Sequence, residues 1–394
     1  MKAVVWHDRE DVRVDRVPDP RLVEDNDAIV RITTTAICGS DLHLYGVLGP
    51  LMEPGDIMGH EPMGIVEEVG PAITNIAVGD RVVIPFTISC GRCFMCDRGL
   101  YSQCETTQVR EYGCGAALFG YTKLYGQVPG GQAEYLRVPH ADFIPIKVPA
   151  DGGDDERFIY LSDVLPTAWQ AVEYAAIPDG GSVAVFGLGP IGQMSARIAR
   201  HRGARVIAID RVPERLEMAR RNGIEVLHLE DDEPIGDRLR DMTQGRGPDA
   251  VIDAVGMEAH GSPITGFTHQ MTRLLPDKLA ETLLRKAGVD RLAALVGAID
   301  AVRRGGTLSI VGVYGGMLDP LPMLTLFDKQ IQVRMGQANV KRWIDAIMPL
   351  LADGADPLNV GDLATHRLPL DEAPEGYRMF RGKHDGAVKV LLRP

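Results

Sequence analysis

Residues 182–193 read SVAVFGLGPIGQ. The apolar run SVAVF predicts a short buried strand. Gly187, Gly189 and Gly192 follow as G-x-G-x-x-G, and IGQMSARIARHRGA then carries helical spacing. In such a turn the first glycine makes the tight bend. The second lets a pyrophosphate approach the backbone, and the third permits helix-on-strand packing, while the helix N-terminus favours the anion. Pro190 and Ile191 lie inside the same turn and count with its cofactor-facing residues. The next strand, RVIAID, ends at Asp210, about twenty residues on, where a ribose hydroxyl is expected. Asp210 would repel a 2′-phosphate, which points to NAD over NADP; Arg211, directly after it, points the other way. Arg215, a helical turn further, reads either as a contact to the adenosine ribose or a phosphate, or as a solvated helix charge.

Outward from this turn the alternation continues. PERLEMARRNG predicts a helix, IEVLHL a strand, and DAVIDAVG and TLSIVGVYG two more apolar strands. Strands alternating with helices imply βαβ units and a parallel, doubly wound sheet. Ligands sit at the C-terminal ends of such strands. Val255 and Gly256 follow one strand, and Val311, Val313 and Tyr314 end another, so these residues line the nicotinamide end or are plain strand-end core. Roughly fifty residues separate those two strands, more than one crossover helix needs. QMTRLLPDKLAETLLRKAG within them is helically periodic, so an inserted helical lobe is expected at about 262–295. The first 150 residues differ: AIVRITTTAICG, MGIVEEVG and DRVVIPF are short apolar runs between Gly and Pro, the pattern of a barrel-like β unit.

The chain has 394 residues, enough for two domains, with 45% hydrophobic and 24% charged residues. A formal net charge of −12 argues against a nucleic-acid partner. No apolar run of about eighteen residues suggests a membrane span. MKAVVWHDRE reaches charge too soon for a secretory signal, so a cytoplasmic protein is expected. In that compartment the six cysteines read as metal ligands rather than a disulfide framework.

Cys90, Cys93, Cys96 and Cys104 stand at C-x2-C-x2-C-x7-C. Four thiolates at this spacing close a tetrahedron and leave no open position, the pattern of a structural zinc. Cys114 falls outside it. ICGSDLH and MGHEPMG offer a second set, with Cys38, Ser40, Asp41, His43, His60 and Glu61. A thiolate and an imidazole are good zinc ligands, although taken alone a histidine in a Gly-rich loop is more often just a buried, hydrogen-bonded one.

CGSDLH, GHEPMG, the four-cysteine loop and GLGPIG after a strand, in this order, resemble the zinc-dependent medium-chain alcohol dehydrogenase family. The resemblance spans nearly the whole chain. It implies an α/β protein with a GroES-like β-rich catalytic domain at 1–163 and 336–394, a Rossmann NAD-binding domain at 164–335, and an active site in the cleft between them. It implies two zinc ions per chain. Cys38 and His60 match two catalytic ligands; the third is commonly Cys, but the matching stretch YLSDVLPTAWQAV places Asp163 there. That aspartate resembles the glutathione-independent formaldehyde dehydrogenase and formaldehyde dismutase branch, as do GGQAEYLRVPHADF and VGMEAHG. Asp163 also suits a helix N-cap. By the same resemblance Ser40 and His43 form a proton relay, His260 contacts cofactor, and Glu61 is a neighbouring group, an alternate ligand or a salt-bridged structural carboxylate. A carboxylate gives less charge to zinc than a thiolate, so the ion is expected to be the stronger Lewis acid.

The expected function is hydride transfer between a small alcohol or aldehyde hydrate, formaldehyde first, and NAD. The alternatives are a larger alcohol, a polyol or an amino alcohol such as threonine, and a zinc- and cofactor-binding module without turnover. The resemblance further suggests a homo-oligomer, a tetramer by preference. It also leaves open a retained NAD beneath the inserted lobe.

Overall fold

The computed structural model describes residues 1–150, 154–229, 234–256, 293–314, 321–352 and 356–394. The chain divides into two units, Met1–Thr167 with Ala338–Pro394, and Ala168–Gln337.

The first unit is β-rich. Lys2–Asp8 and Asp11–Arg16 form an antiparallel ribbon. A seven-stranded sheet runs in the order His366–Pro369, Val390–Arg393, Ala28–Ile37, Pro62–Val69, Arg81–Val83 and Ile146–Lys147, with Tyr135–Val138 also paired to Ala28–Ile37. Ala28–Ile37 is buried along nearly its whole length and receives three partners, so it is the spine of the sheet. One core gathers Val30, Ile32, Val66, Ile84, Phe119 and Leu136. Another gathers Trp6, Ile37, Leu44, Tyr377, Phe380 and Leu392. The second core joins the C-terminal helix Ala373–Gly382 and strand Val390–Arg393 to the first fifty residues.

The β reading of this region passes over one element. Directly after Ile37 the chain turns into the short helix Gly39–Tyr45, which carries Ser40, Asp41 and His43. Its cap is reciprocal: the Asp41 carboxylate accepts the Cys38 N–H at 2.9 Å. An acidic residue three places after the cap was the available signal.

The second unit is the doubly wound sheet that the alternation predicts. Six parallel strands lie in the order Glu225–His228, Arg205–Asp210, Ser182–Phe186, Ala250–Asp253, Thr307–Ile310, Gln332–Met335. The central strands are apolar because helices cover both faces of such a sheet. Strand order reverses between Ser182–Phe186 and Ala250–Asp253, and the loops beyond their ends flank that reversal. Helix Pro190–His201 starts at Gly189 with Pro190 as its first residue, where a missing N–H costs no hydrogen bond. The expected lobe lies outside the described residues apart from its last three positions, which open helix Ala293–Ala301. His260 also lies outside them. No helix among the described residues is long and apolar enough to cross a membrane.

Candidate metal centres and cofactor site

Two groups of metal-competent side chains occur among the described residues, each with its donor atoms within 4.8 Å of one another. The first is Cys90, Cys93, Cys96 and Cys104. Cys93 Sγ and Cys104 Sγ lie 3.9 Å apart. A tetrahedral zinc with Zn–S near 2.3 Å would hold two sulfurs about 3.8 Å apart, so the set fits the ion. Polar hydrogens already face the sulfurs. Cys90 N–H donates to Cys104 Sγ, Glu105 N–H to Cys93 Sγ, and the Thr106 hydroxyl to Cys90 Sγ. Burial alone would raise the Cys93 thiol, but backbone N–H groups of Cys96 and Glu105 outweigh it and bring it to about 6. Backbone N–H groups lower Cys104 as well, whereas burial and the neighbouring sulfurs push Cys96 up, so the loop favours thiolate, the form that binds metal, at Cys93 and Cys104. Cys114 stays apart, its thiol turned to the Tyr112 carbonyl.

The second group is Cys38, His60, Glu61 and Asp163. Asp163 Oδ2 lies 3.6 Å from Cys38 Sγ and 3.6 Å from His60 Nε2. A tetrahedral zinc would set a sulfur and a carboxylate oxygen about 3.5 Å apart, so these three also fit. They come from three places: the cap of helix Gly39–Tyr45, the loop before Pro62–Val69, and the junction ahead of helix Val164–Ala175. Asp163 does not spend its side chain on a helix amide. Its Oδ1 accepts the Thr167 hydroxyl at 2.6 Å, which leaves Oδ2 directed at the other two donors.

His60 is aimed by Asp41, whose role the sequence reading missed. Asp41 is fully buried and its Oδ1 lies 3.0 Å from His60 Nδ1. With Nδ1–H donated to that carboxylate, the lone pair of Nε2 faces Cys38 and Asp163. Gln132 holds Asp41 from behind through Nε2, and accepts the Tyr377 hydroxyl at Oε1. Ser40 Oγ lies 3.3 Å from His60 Nε2, so the sequence-expected hydroxyl is beside the donor set. His43 sits three residues on along the same helix, partly buried.

Glu61 belongs to this group but is gripped from elsewhere. The ammonium of Lys389 lies 2.6 Å from Oε1 and 2.5 Å from Oε2, and both side chains are fully buried. Burial would lower the Lys389 ammonium, but the Glu61 charge raises it instead. The signal in the sequence was a lysine inside the apolar run AVKVLL. Burial and the Glu61 charge push the Cys38 thiol up to about 11, and a bound dication would have to displace that proton. Asp163 goes the other way: burial would raise it, but the neighbouring His60 ring and the hydrogen bond from Thr167 hold it below the usual carboxylate range.

In the second unit the Gly-rich turn is packed as its spacing requires. Gly187 takes φ +85°, and a Cβ on Gly192 would stand 1.7 Å from the Gly187 carbonyl oxygen. Asp210 reaches back to this turn, its Oδ2 accepting the Leu188 N–H at 2.6 Å and its Oδ1 the Val212 N–H at 2.9 Å. Arg215 is buried with Nη1 3.8 Å from Asp210 Oδ2, so it is a member of the turn rather than a solvated charge. Arg211 is exposed, its backbone N–H held by Asp210 Oδ1. Pro190 and Ile191 are partly buried at the helix start. Val255 packs on the core of this unit, Val311 N–H donates to the Asp253 carbonyl, and Val313 is 58% exposed.

Known proteins supply independent findings. A family model described as the alcohol dehydrogenase GroES-like domain matches residues 24–149, and one described as zinc-binding dehydrogenase matches 190–262. The chain is 42% identical over 397 residues to the zinc-type alcohol dehydrogenase-like protein AdhB of Bacillus subtilis, covering 100% of both. It is 32% identical to the glutathione-independent formaldehyde dehydrogenase of Pseudomonas aeruginosa (strain LESB58), covering 100% of this chain and 97% of the relative. The solved alcohol dehydrogenase TADH from Thermus sp. ATN1 superposes with a TM-score of 0.82 at 38% identity, over 100% and 99% of the two chains.

Proposed function

The chain belongs to the zinc-containing medium-chain alcohol dehydrogenase family, and we propose that it oxidises or reduces a small alcohol or aldehyde hydrate with NAD, formaldehyde being the first substrate to test. The observation that carries this reading is the three-donor set of Cys38, His60 and Asp163 with the Ser40 hydroxyl beside it. Three protein ligands with one position left open is the arrangement of a catalytic zinc, whereas the four cysteines close theirs. The 32% identity to a formaldehyde dehydrogenase supports the substrate.

When bound, the zinc supplies a Lewis acid and the nicotinamide a hydride acceptor. Cys38, His60 and Asp163 hold the first ion, and Cys90, Cys93, Cys96 and Cys104 the second. Ser40 takes the substrate hydroxyl proton and His43 passes it on toward solvent. Asp41 fixes the His60 tautomer. Glu61, held by Lys389, is a charged neighbour of the donor set. Gly187, Gly189, Pro190, Ile191 and Gly192 receive the pyrophosphate, Asp210 and Arg215 the adenosine end, and Val255, Val311 and Val313 the nicotinamide end. In this assignment 1–163 and 336–394 form the catalytic domain and 164–335 the cofactor domain.

The proposal includes a homo-oligomer, which the edge of the parallel sheet supports. Strand Gln332–Met335 pairs on one side only among the described residues, and Met323, Leu324, Phe327, Val333 and Met335 are exposed there. A second copy that pairs edge to edge would cover both the free backbone groups and the apolar row.

The test is NADH absorbance with a panel from formaldehyde to bulky secondary alcohols, in both directions. Highest kcat/KM for one- and two-carbon substrates supports the proposal. Turnover of bulky alcohols alone would remove the substrate and keep the chemistry. No turnover across the panel by protein with two zinc ions would leave a binding module.

A further inference from the structure

Asp253 is the last residue of strand Ala250–Asp253 and is fully buried. An aspartate at the end of a buried parallel strand must have every oxygen satisfied or cost stability. It does so by serving two loops at once. Its Oδ1 accepts the Val255 N–H at 3.0 Å, within its own loop. Its Oδ2 accepts the Tyr314 hydroxyl at 2.6 Å, from the loop after strand Thr307–Ile310. Its backbone carbonyl accepts the N–H groups of Val311 at 3.0 Å and Gly312 at 2.9 Å in that second loop.

The two loops are pressed together with no space for side chains. A Cβ on Gly312 would stand 2.3 Å from Gly256 N, and a Cβ on Gly256 would stand 2.6 Å from Val313 N. The first loop also abuts the Gly-rich turn, since a Cβ on Gly187 would stand 2.9 Å from Val255 Cγ2. Val255, Gly256, Val311, Gly312 and Val313 carry no polar side chain. Polar recognition by these five residues therefore rests on their backbone N–H and C=O groups, and backbone groups recognise only what their fixed directions allow.

We propose that Asp253 and Tyr314 are positioning residues that lock these two loops in register, so that their backbone is preformed at the nicotinamide end of the dinucleotide. This rests on the cofactor reading above. The latch acts at the nicotinamide end, and the adenosine end is served separately by Asp210 and the Gly-rich turn. Loss of the latch should therefore divide the dinucleotide into an affected half and an unaffected half.

The experiment measures two dissociation constants on the full-length zinc-loaded chain. NADH is followed by its fluorescence, and ADP-ribose, which lacks the nicotinamide, by calorimetry. In Asp253→Asn and Tyr314→Phe, NADH should bind about tenfold more weakly while ADP-ribose stays within about twofold. Equal weakening of both ligands, or no change in either, overturns the latch. Tyr314→Phe removes a single oxygen, so it decides the question if Asp253→Asn does not fold. Unmodified protein that binds neither ligand would instead bring down the cofactor reading, and the latch with it.

Discussion

The two metal-competent groups of the β-rich unit use overlapping chemistry and are built in opposite ways. Cys90, Cys93, Cys96 and Cys104 come from one loop, and the hydrogens that face their sulfurs come largely from the same stretch. Cys38, His60 and Asp163 come from three segments, are aimed by Asp41, Gln132 and Thr167, and share their surroundings with a buried Glu61–Lys389 pair. A closed site needs only that four like ligands converge, and a short loop does that. An open site must hold unlike ligands while keeping one direction clear, so its ligands need support from outside their own segments.

Exchanging damage between the two sites tests this most severely. If Asp163 is the third ligand proposed above, Asp163→Ala should lose about a thousandfold in kcat/KM, because Lewis-acid activation goes with the ion. Elemental analysis should find one zinc in place of two, and circular dichroism should be unchanged. Cys104→Ser should also lose one zinc, but its main cost should be a lowered unfolding midpoint, because metal binding in a closed site is folding free energy. If both variants lost activity and stability alike, the distinction between open and closed sites would fail.

Lys389→Met leaves Glu61 buried without its partner and should cost about 3–5 kcal/mol in urea unfolding. Adding Glu61→Leu should recover most of that loss, since removing both charges together is often neutral. A double variant as unstable as the single would show that Lys389 acts by packing alone.

Asp41→Asn keeps the shape of the support behind His60 and removes its charge. Metal affinity of the open site, read by chelator competition, should fall about 10–100-fold while the four-cysteine site keeps its ion. The smallest effect belongs to Cys114→Ser. Zinc content should stay at two and stability should change by no more than about 0.5 kcal/mol. A lost zinc there would mean that the sulfur outside the spacing pattern is a ligand after all.

Much of the fold was legible because its signals are local. SVAVF, RVIAID and AVID are runs that only a covered parallel sheet buries, and all three are strands at its centre. Helix Gly39–Tyr45 was not legible, because it is short and directly continues a β run, and only its cap at Asp41 marks it. Lys389 lies in the apolar run AVKVLL, which marks it as buried but does not name its partner. Nothing in its neighbourhood announces that it meets a carboxylate 328 positions away.

By itself the sequence determined the four-cysteine loop, the Gly-rich turn with Asp210, and the strand–helix alternation, since each depends on spacing along a few tens of residues. Tertiary structure alone decided that Asp41 aims His60, that Lys389 grips Glu61, and that Asp253 with Tyr314 joins two loops. The reason is desolvation: a buried charge or carboxyl must find a partner wherever the fold brings one, and chain separation places no limit on that search.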